Sequence, residues 1–141
     1  MLLAWGTLCL CHADWPQWRG PTADGIWECP GLALEIENPQ RIWKKDISGG
    51  YSGVTISEGK IYTMDRPDKK NIERILCLDA KTGKVIWEHS YAASYDGLSY
   101  DSGPRASVTI HAMKAYALGS VGHIHCLDAR NGKVIWSKDS V

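Results

Sequence analysis

The chain has 141 residues, 44% of them apolar, with 16 basic and 16 acidic side chains that cancel to a formal net charge of zero. Charges of both signs are interspersed, so no electrostatic footprint for nucleic acid or an anionic membrane surface is present, and neither is expected as a partner. The length is that of one ordinary domain with enough apolar side chains to fill a core.

Residues 1–13 contain no Lys, Arg, Asp or Glu and end in Cys11, His12 and Ala13, a small-x-small cleavage pattern. The stretch reads as a secretory signal peptide, too short to span a membrane, and predicts export to the periplasm or beyond the cell. No transmembrane segment is expected. Cleavage leaves Cys29, Cys77 and Cys126, an odd number that permits at most one disulfide. Cys77 and Cys126 sit inside apolar runs and are read as small buried hydrophobes rather than partners.

Residues 14–40 open on DWPQWRGPTADG, which has neither helical nor strand periodicity. An extended N-terminal strap is predicted there, anchored by Trp15 and Trp18. Residues 41–45 read as a lone strand carrying Trp43, an orphan of a blade whose other strands are missing. A first blade is predicted over 51–89. Gly53 to Ser57 and Lys60 to Met64 alternate apolar and polar around a tight turn at Glu58 and Gly59. The polar run from Asp65 to Glu73 reads as a solvated, mobile excursion. Residues 90–104 form a linker holding Tyr91, Tyr95, Asp96, Tyr100 and Asp101, and its tyrosines are read as a cover for the blade junction, although such loops often carry function. A second blade follows over 105–138.

What ties these segments together is a repeat. CLDAKTGKVIW at Cys77–Trp87 returns as CLDARNGKVIW at Cys126–Trp136, and 126 minus 77 gives a period of 49 residues. Val54, Thr55, Ile56 and Tyr62 recur as Val108, Thr109, Ile110 and Tyr116, at an offset of 108 minus 54, or 54. Such periods mark architectures built from one supersecondary unit that cannot bury its apolar faces alone. Each copy reads as two strands, apolar on both faces, around a turn. Asp79 is placed to cap that turn and Gly83 to supply a positive φ; Asn131 and Gly132 fit the same turn in the second copy.

These residues resemble the tryptophan-docking motif of the pyrroloquinoline-quinone (PQQ)-like propeller repeats, including exported proteins of the BamB type. Asp79, Thr82, Gly83, Lys84 and Trp87 match the motif in the first copy. Asp128, Gly132, Lys133 and Trp136 match it in the second, where Asn131 replaces the Thr and predicts slightly weaker docking. The resemblance implies an all-β fold, a partial β-propeller of about two four-stranded antiparallel blades, in which a Trp from one blade packs on the turn of its neighbour. Propellers of this family close a ring of several blades, so the chain is read as an N-terminal fragment.

No nucleophile elbow, phosphate-binding Gly loop, CxxC pair or metalloprotease helix is present, so no catalytic residue is assigned. His123 and His125 have a spacing that can hold zinc, but His125 aligns with the apolar Leu76 and is read as a packed, hydrogen-bonded imidazole, with no metal site. The resemblance also extends to quinone-dependent dehydrogenases, whose site uses adjacent cysteines against PQQ, a calcium ion and an Asp base. Adjacent cysteines do not occur here. Tyr51 and Arg105 correspond under the 54-residue offset and, with Asp101, are candidates for a channel-rim site. The expected function is a binding or assembly scaffold that takes a protein or small molecule at the propeller face, with no cofactor assigned. The alternative is a PQQ- and calcium-dependent oxidoreductase acting on alcohols or sugars. A third reading is a carbohydrate-binding propeller that uses the linker tyrosines.

Overall fold

The computed structural model describes residues 14–28, 37–99 and 102–140. Two four-stranded antiparallel sheets account for every strand among them. Blade one comprises β1 (Thr55–Ser57), β2 (Lys60–Asp65), β3 (Ile72–Asp79) and β4 (Val85–Ala92) in sequential order. Blade two repeats that order with β5 (Thr109–His111), β6 (Lys114–Leu118), β7 (His123–Asp128) and β8 (Val134–Asp139). Up-and-down order is what short turns between consecutive strands permit. The signal-peptide reading of residues 1–13 lies outside the described residues.

The registers of the two blades coincide. Tyr62 pairs with Cys77 and Tyr116 with Cys126; Cys77 pairs with Trp87 and Cys126 with Trp136. Each sheet has a bulge at the same place, between Cys77 and Leu78 and between Cys126 and Leu127. Below each bulge the turn is built alike. Gly83 (φ 68°) and Gly132 (φ 72°) adopt the left-handed conformation, and their amides donate to the carbonyls of Asp79 and Asp128, both at 2.8 Å.

One core lies between the sheets: Tyr62, Met64, Ile75, Cys77 and Trp87 of blade one meet Val108, Ala115, Ala117, Leu127 and Ala129 of blade two. Large residues on one face against small ones on the other let the sheets interdigitate. The Trp87 indole lies against the turn of blade two: its N–H donates to the Ala129 carbonyl at 3.0 Å, and a Cβ on Gly132 would stand 2.7 Å from the ring. Trp43 lies the same way against blade one, donating to the Ala80 carbonyl at 2.9 Å, with its ring 2.6 Å from a Cβ built on Gly83. Only glycine tolerates such close approach.

Several expectations need correction. Residues 41–45 join no ladder among the described residues, and what places this segment is the Trp43 contact. The stretch 14–28 is not extended but folds into turns closed by Gly20 N–H to Gln17 and Gly25 N–H to Arg19. Trp15 pairs with Ile56 through two backbone hydrogen bonds, whereas Trp18 is 69% exposed with the Arg19 guanidinium against its ring. Blade one runs to Ala92, three residues past its predicted end. Burial on both faces holds for β3 but fails for β4, where Val85 and Ile86 are exposed, and for β8, all of whose residues are exposed.

The largest departure lies at the two ends of the polar run from Asp65 to Glu73, whose tip at Asp68, Lys70 and Asn71 is exposed as expected. Asp65, Arg66 and Glu73 are 0%, 5% and 0% exposed. A 3-10 turn at Pro67–Lys69 lets the chain double back, so that β2 and β3 stay paired up to Asp65 and Arg74. Arg74 then donates to both Asp65 carboxylate oxygens, at 2.8 and 2.7 Å, and the Ser48 amide caps Asp65 at 2.8 Å. Burying the carboxylate is tolerated because the bidentate pair and the amide replace its water.

Candidate binding rim and blade junction

The chain enters each blade along neighbouring inner segments. The Tyr51 amide donates to the Pro104 carbonyl at 2.7 Å, Ser52 Oγ to the Ala106 carbonyl at 2.8 Å and Thr55 Oγ1 to the Val108 carbonyl at 2.5 Å. A Cβ on Gly53 would stand 2.5 Å from Ser107 Oγ, so glycine is what lets these segments touch. Residues 51–55 and 104–108, which correspond under the 54-residue offset, thus lie side by side.

Of the rim candidates, Tyr51 is 57% exposed and its hydroxyl bonds Ser102 Oγ at 3.2 Å. Arg105 is exposed and adjoins Pro104, the residue bonded to Tyr51. Asp101 lies outside the described residues. Beside the inner segments is an open groove of about 480 Å³ lined by Trp15, Trp18, Arg19, Val54 and Ser107. The Arg19 guanidinium sits 5.8 Å from the centre of the Trp18 ring. The sequence places Trp18 in the N-terminal strap, with an aromatic ligand platform as the alternative, and assigns no role to Arg19.

A second cluster lies where β4 meets β7. Glu73 accepts hydrogen bonds from the Tyr91 and Tyr95 hydroxyls and, at 3.0 Å, from the Ser120 amide. Burial first, then the Glu73 carboxylate, pushes both phenols well above their usual range. Arg66 lies over the Tyr95 ring at 3.8 Å. Tyr91 and Tyr95 therefore cover the junction, in keeping with one reading of the linker; Tyr91 belongs to β4 itself. The signal that could have revealed Glu73 is its parity: it shares a sheet face with Ile75 and Cys77.

His125 is 7% exposed, packed as expected, but neither ring nitrogen has a hydrogen-bond partner among the described residues, contrary to the hydrogen-bonded imidazole predicted. It meets Tyr91 (ring centres 4.1 Å apart) and His89 (5.2 Å) across the junction, because β4 and β7 bring their faces together there.

The two described cysteines, Cys77 and Cys126, are both free and 0% exposed. Burial raises the Cys77 thiol to about 11. Among the described residues, no group of three His, Cys, Asp or Glu side chains is placed to hold a metal ion. The described residues therefore do not fit a PQQ and calcium site: the thiols are sealed inside the blades, away from the rim. No helix among them is long and apolar enough to cross a membrane.

A family model described as outer membrane protein assembly factor BamB, of the PQQ repeat type, matches residues 29–89 and 71–141. The chain belongs to this PQQ-like repeat family. Its two sheets are blades of the family's β-propeller. Among solved structures it is similar to BamB from Moraxella catarrhalis, at 22% identity and a TM-score of 0.50 over 69% of this chain. A europium-containing methanol dehydrogenase aligns at 19% identity and a TM-score of 0.54 over 67%. A quinohemoprotein alcohol dehydrogenase from Pseudomonas putida aligns at 26% identity and a TM-score of 0.50 over 70%. The chain spans only 26%, 17% and 14% of those three proteins. A search of curated proteins gave no match.

Proposed function

We propose that the chain contributes two blades to an exported PQQ-like propeller that acts as a binding or assembly scaffold. The observation that carries this reading is the groove beside the inner segments, where Trp18 and Val54 are 69% and 53% exposed next to Arg19. Exposed aromatic and Arg side chains are the groups that anchor protein interfaces. The charge-free apolar stretch 1–13 supports export. Asp79, Thr82, Gly83 and Trp87, with Asp128, Gly132 and Trp136, serve as docking residues that hold blades together, and Tyr51 and Arg105 serve at the rim.

A direct test uses the full-length protein and an unfolded outer-membrane β-barrel segment as the ligand. Replacing Tyr51, Trp18 and Arg105 with Ala together weakens binding by about tenfold or more, with the melting temperature nearly unchanged. Unaltered affinity removes the rim from the proposal.

The competing reading, a PQQ-dependent oxidoreductase, draws on the 26% identity to the alcohol dehydrogenase. Incubation of the full-length protein with PQQ and calcium separates the two: quinone absorbance with dye reduction supports the enzyme, and absence of both supports the scaffold.

A further inference from the structure

Four aromatic side chains from two blades meet in one patch. β4 contributes His89 and Tyr91, and β7 contributes His123 and His125, in each case alternate residues on a shared face. Tyr91 lies 4.1 Å from His125 and 5.5 Å from His123 between ring centres, while His89 lies 5.2 Å from His125. His123 and His125 are 6.5 Å apart. Four buried ring nitrogens, His89 Nε2, His123 Nδ1 and both nitrogens of His125, have no hydrogen-bond partner among the described residues. In blade one the position equivalent to His125 is Leu76, which is 2% exposed. An apolar side chain therefore satisfies the local packing, and the imidazole adds something else.

The charges around the patch do not favour a protonated His125. Glu73 of β3 is the nearest carboxylate, but its oxygens are already taken by Tyr91, Tyr95 and the Ser120 amide. Arg66 lies beyond it, over Tyr95. Asp139 of β8 stands 3.8 Å from His123 Nε2, at the solvent edge. The rest of the surroundings are the imidazoles themselves, which repel one another once charged.

We propose that His89 and His125 form an acid-sensitive latch between neighbouring blades, packed shut while these two rings are neutral and loosened when they take up protons. Burial, reinforced by the charges His89 and His123 would carry, holds His125 down at about 4, and burial lowers His89 as well. A histidine whose folded pKa lies below its unfolded value near 6.5 binds more protons when unfolded. Its contribution to stability is therefore complete above about pH 6.5 and is lost as the pH falls towards 4. Such a device makes the rigidity of a propeller wall depend on the acidity of its surroundings.

The test compares the intact protein with His125→Leu, which installs the blade-one residue. Urea unfolding from pH 7.5 to 4.5 is expected to show the unfolding constant of the parent rising on the order of fifty-fold more than that of the variant, from a pKa near 4 against one near 6.5. Hydrogen exchange should locate the loss at β4 and β7. Parallel pH profiles for the two proteins would overturn the latch. Should the variant fail to fold, NMR titration of the parent decides: a His125 ring titrating near 6.5 refutes the proposal, and one near 4 supports it. Stabilisation by added zinc at pH 7 in the parent but not the variant would also overturn it, by making the cluster a metal site.

Discussion

Blades one and two have the same strand order, the same register and the same bulge, and even the pairing of Tyr with Trp is reproduced. Tyr62 and Trp87 have ring centres 6.0 Å apart at 54°, and Tyr116 and Trp136 are 6.2 Å apart at 54°. Yet Trp87 is 8% exposed and Trp136 41%. Local sequence sets how each blade is built; a neighbouring blade determines how much of it is buried. Trp87 has the turn of blade two against it, and Trp136 has no such turn among the described residues. The same tryptophan in the same local geometry therefore carries different energetic weight at its two positions.

Replacing Trp87 with Ala breaks the comparison most severely. A large cavity opens in the shared core and the Ala129 carbonyl keeps only the Tyr62 hydroxyl as donor, so a loss of about 3–5 kcal/mol is expected in urea unfolding. Gly132→Ala tests the other half of the same contact. A new Cβ at 2.7 Å from the indole, on a backbone with φ of 72°, should cost about 2–3 kcal/mol. Trp136→Ala sharpens the contrast: a half-exposed ring without a covering turn should cost only about 1 kcal/mol. A loss equal to that of Trp87→Ala would mean that Trp136 is covered in solution.

The smallest effect concerns the hairpin turns. Blade one turns through Glu58 (φ 49°) and Gly59 (φ 70°), while blade two turns through Ala112 (φ 47°) and Met113 (φ 61°). Left-handed backbone is strained for residues with a Cβ, so Met113→Gly should stabilise blade two by about 0.5–1 kcal/mol, visible as a higher melting temperature. The turns that receive the indoles differ less than expected. Where Thr82 Oγ1 accepts the Lys84 amide at 3.4 Å, Asn131 Oδ1 accepts that of Lys133 at 2.9 Å. Arg130 adds a hydrogen-bonded pair that holds the Asp128 carboxyl down at about 2.

How far each feature was legible follows from the range of the interactions that make it. The Asp79–Trp87 repeat uses contacts a few residues apart, so its turn and strands could be read directly. The polar run Asp65–Glu73 looked solvated because its charges were judged singly. Their partners, Arg74 across a strand pair, Tyr95 in the linker and Ser120 in the next blade, are brought near only by folding. The histidine patch was half visible: the spacing of His123 and His125 put them on one face, but His89 came from another blade.

From the amino-acid order alone came the two blades, their turns and the glycines those turns require, because alternation and turn chemistry act along one strand pair. Tertiary packing alone decided which tryptophan is buried, which charges go into the core and which imidazoles meet. Those outcomes depend on what a second sheet presents at the same place, and no periodicity within a single sheet encodes it.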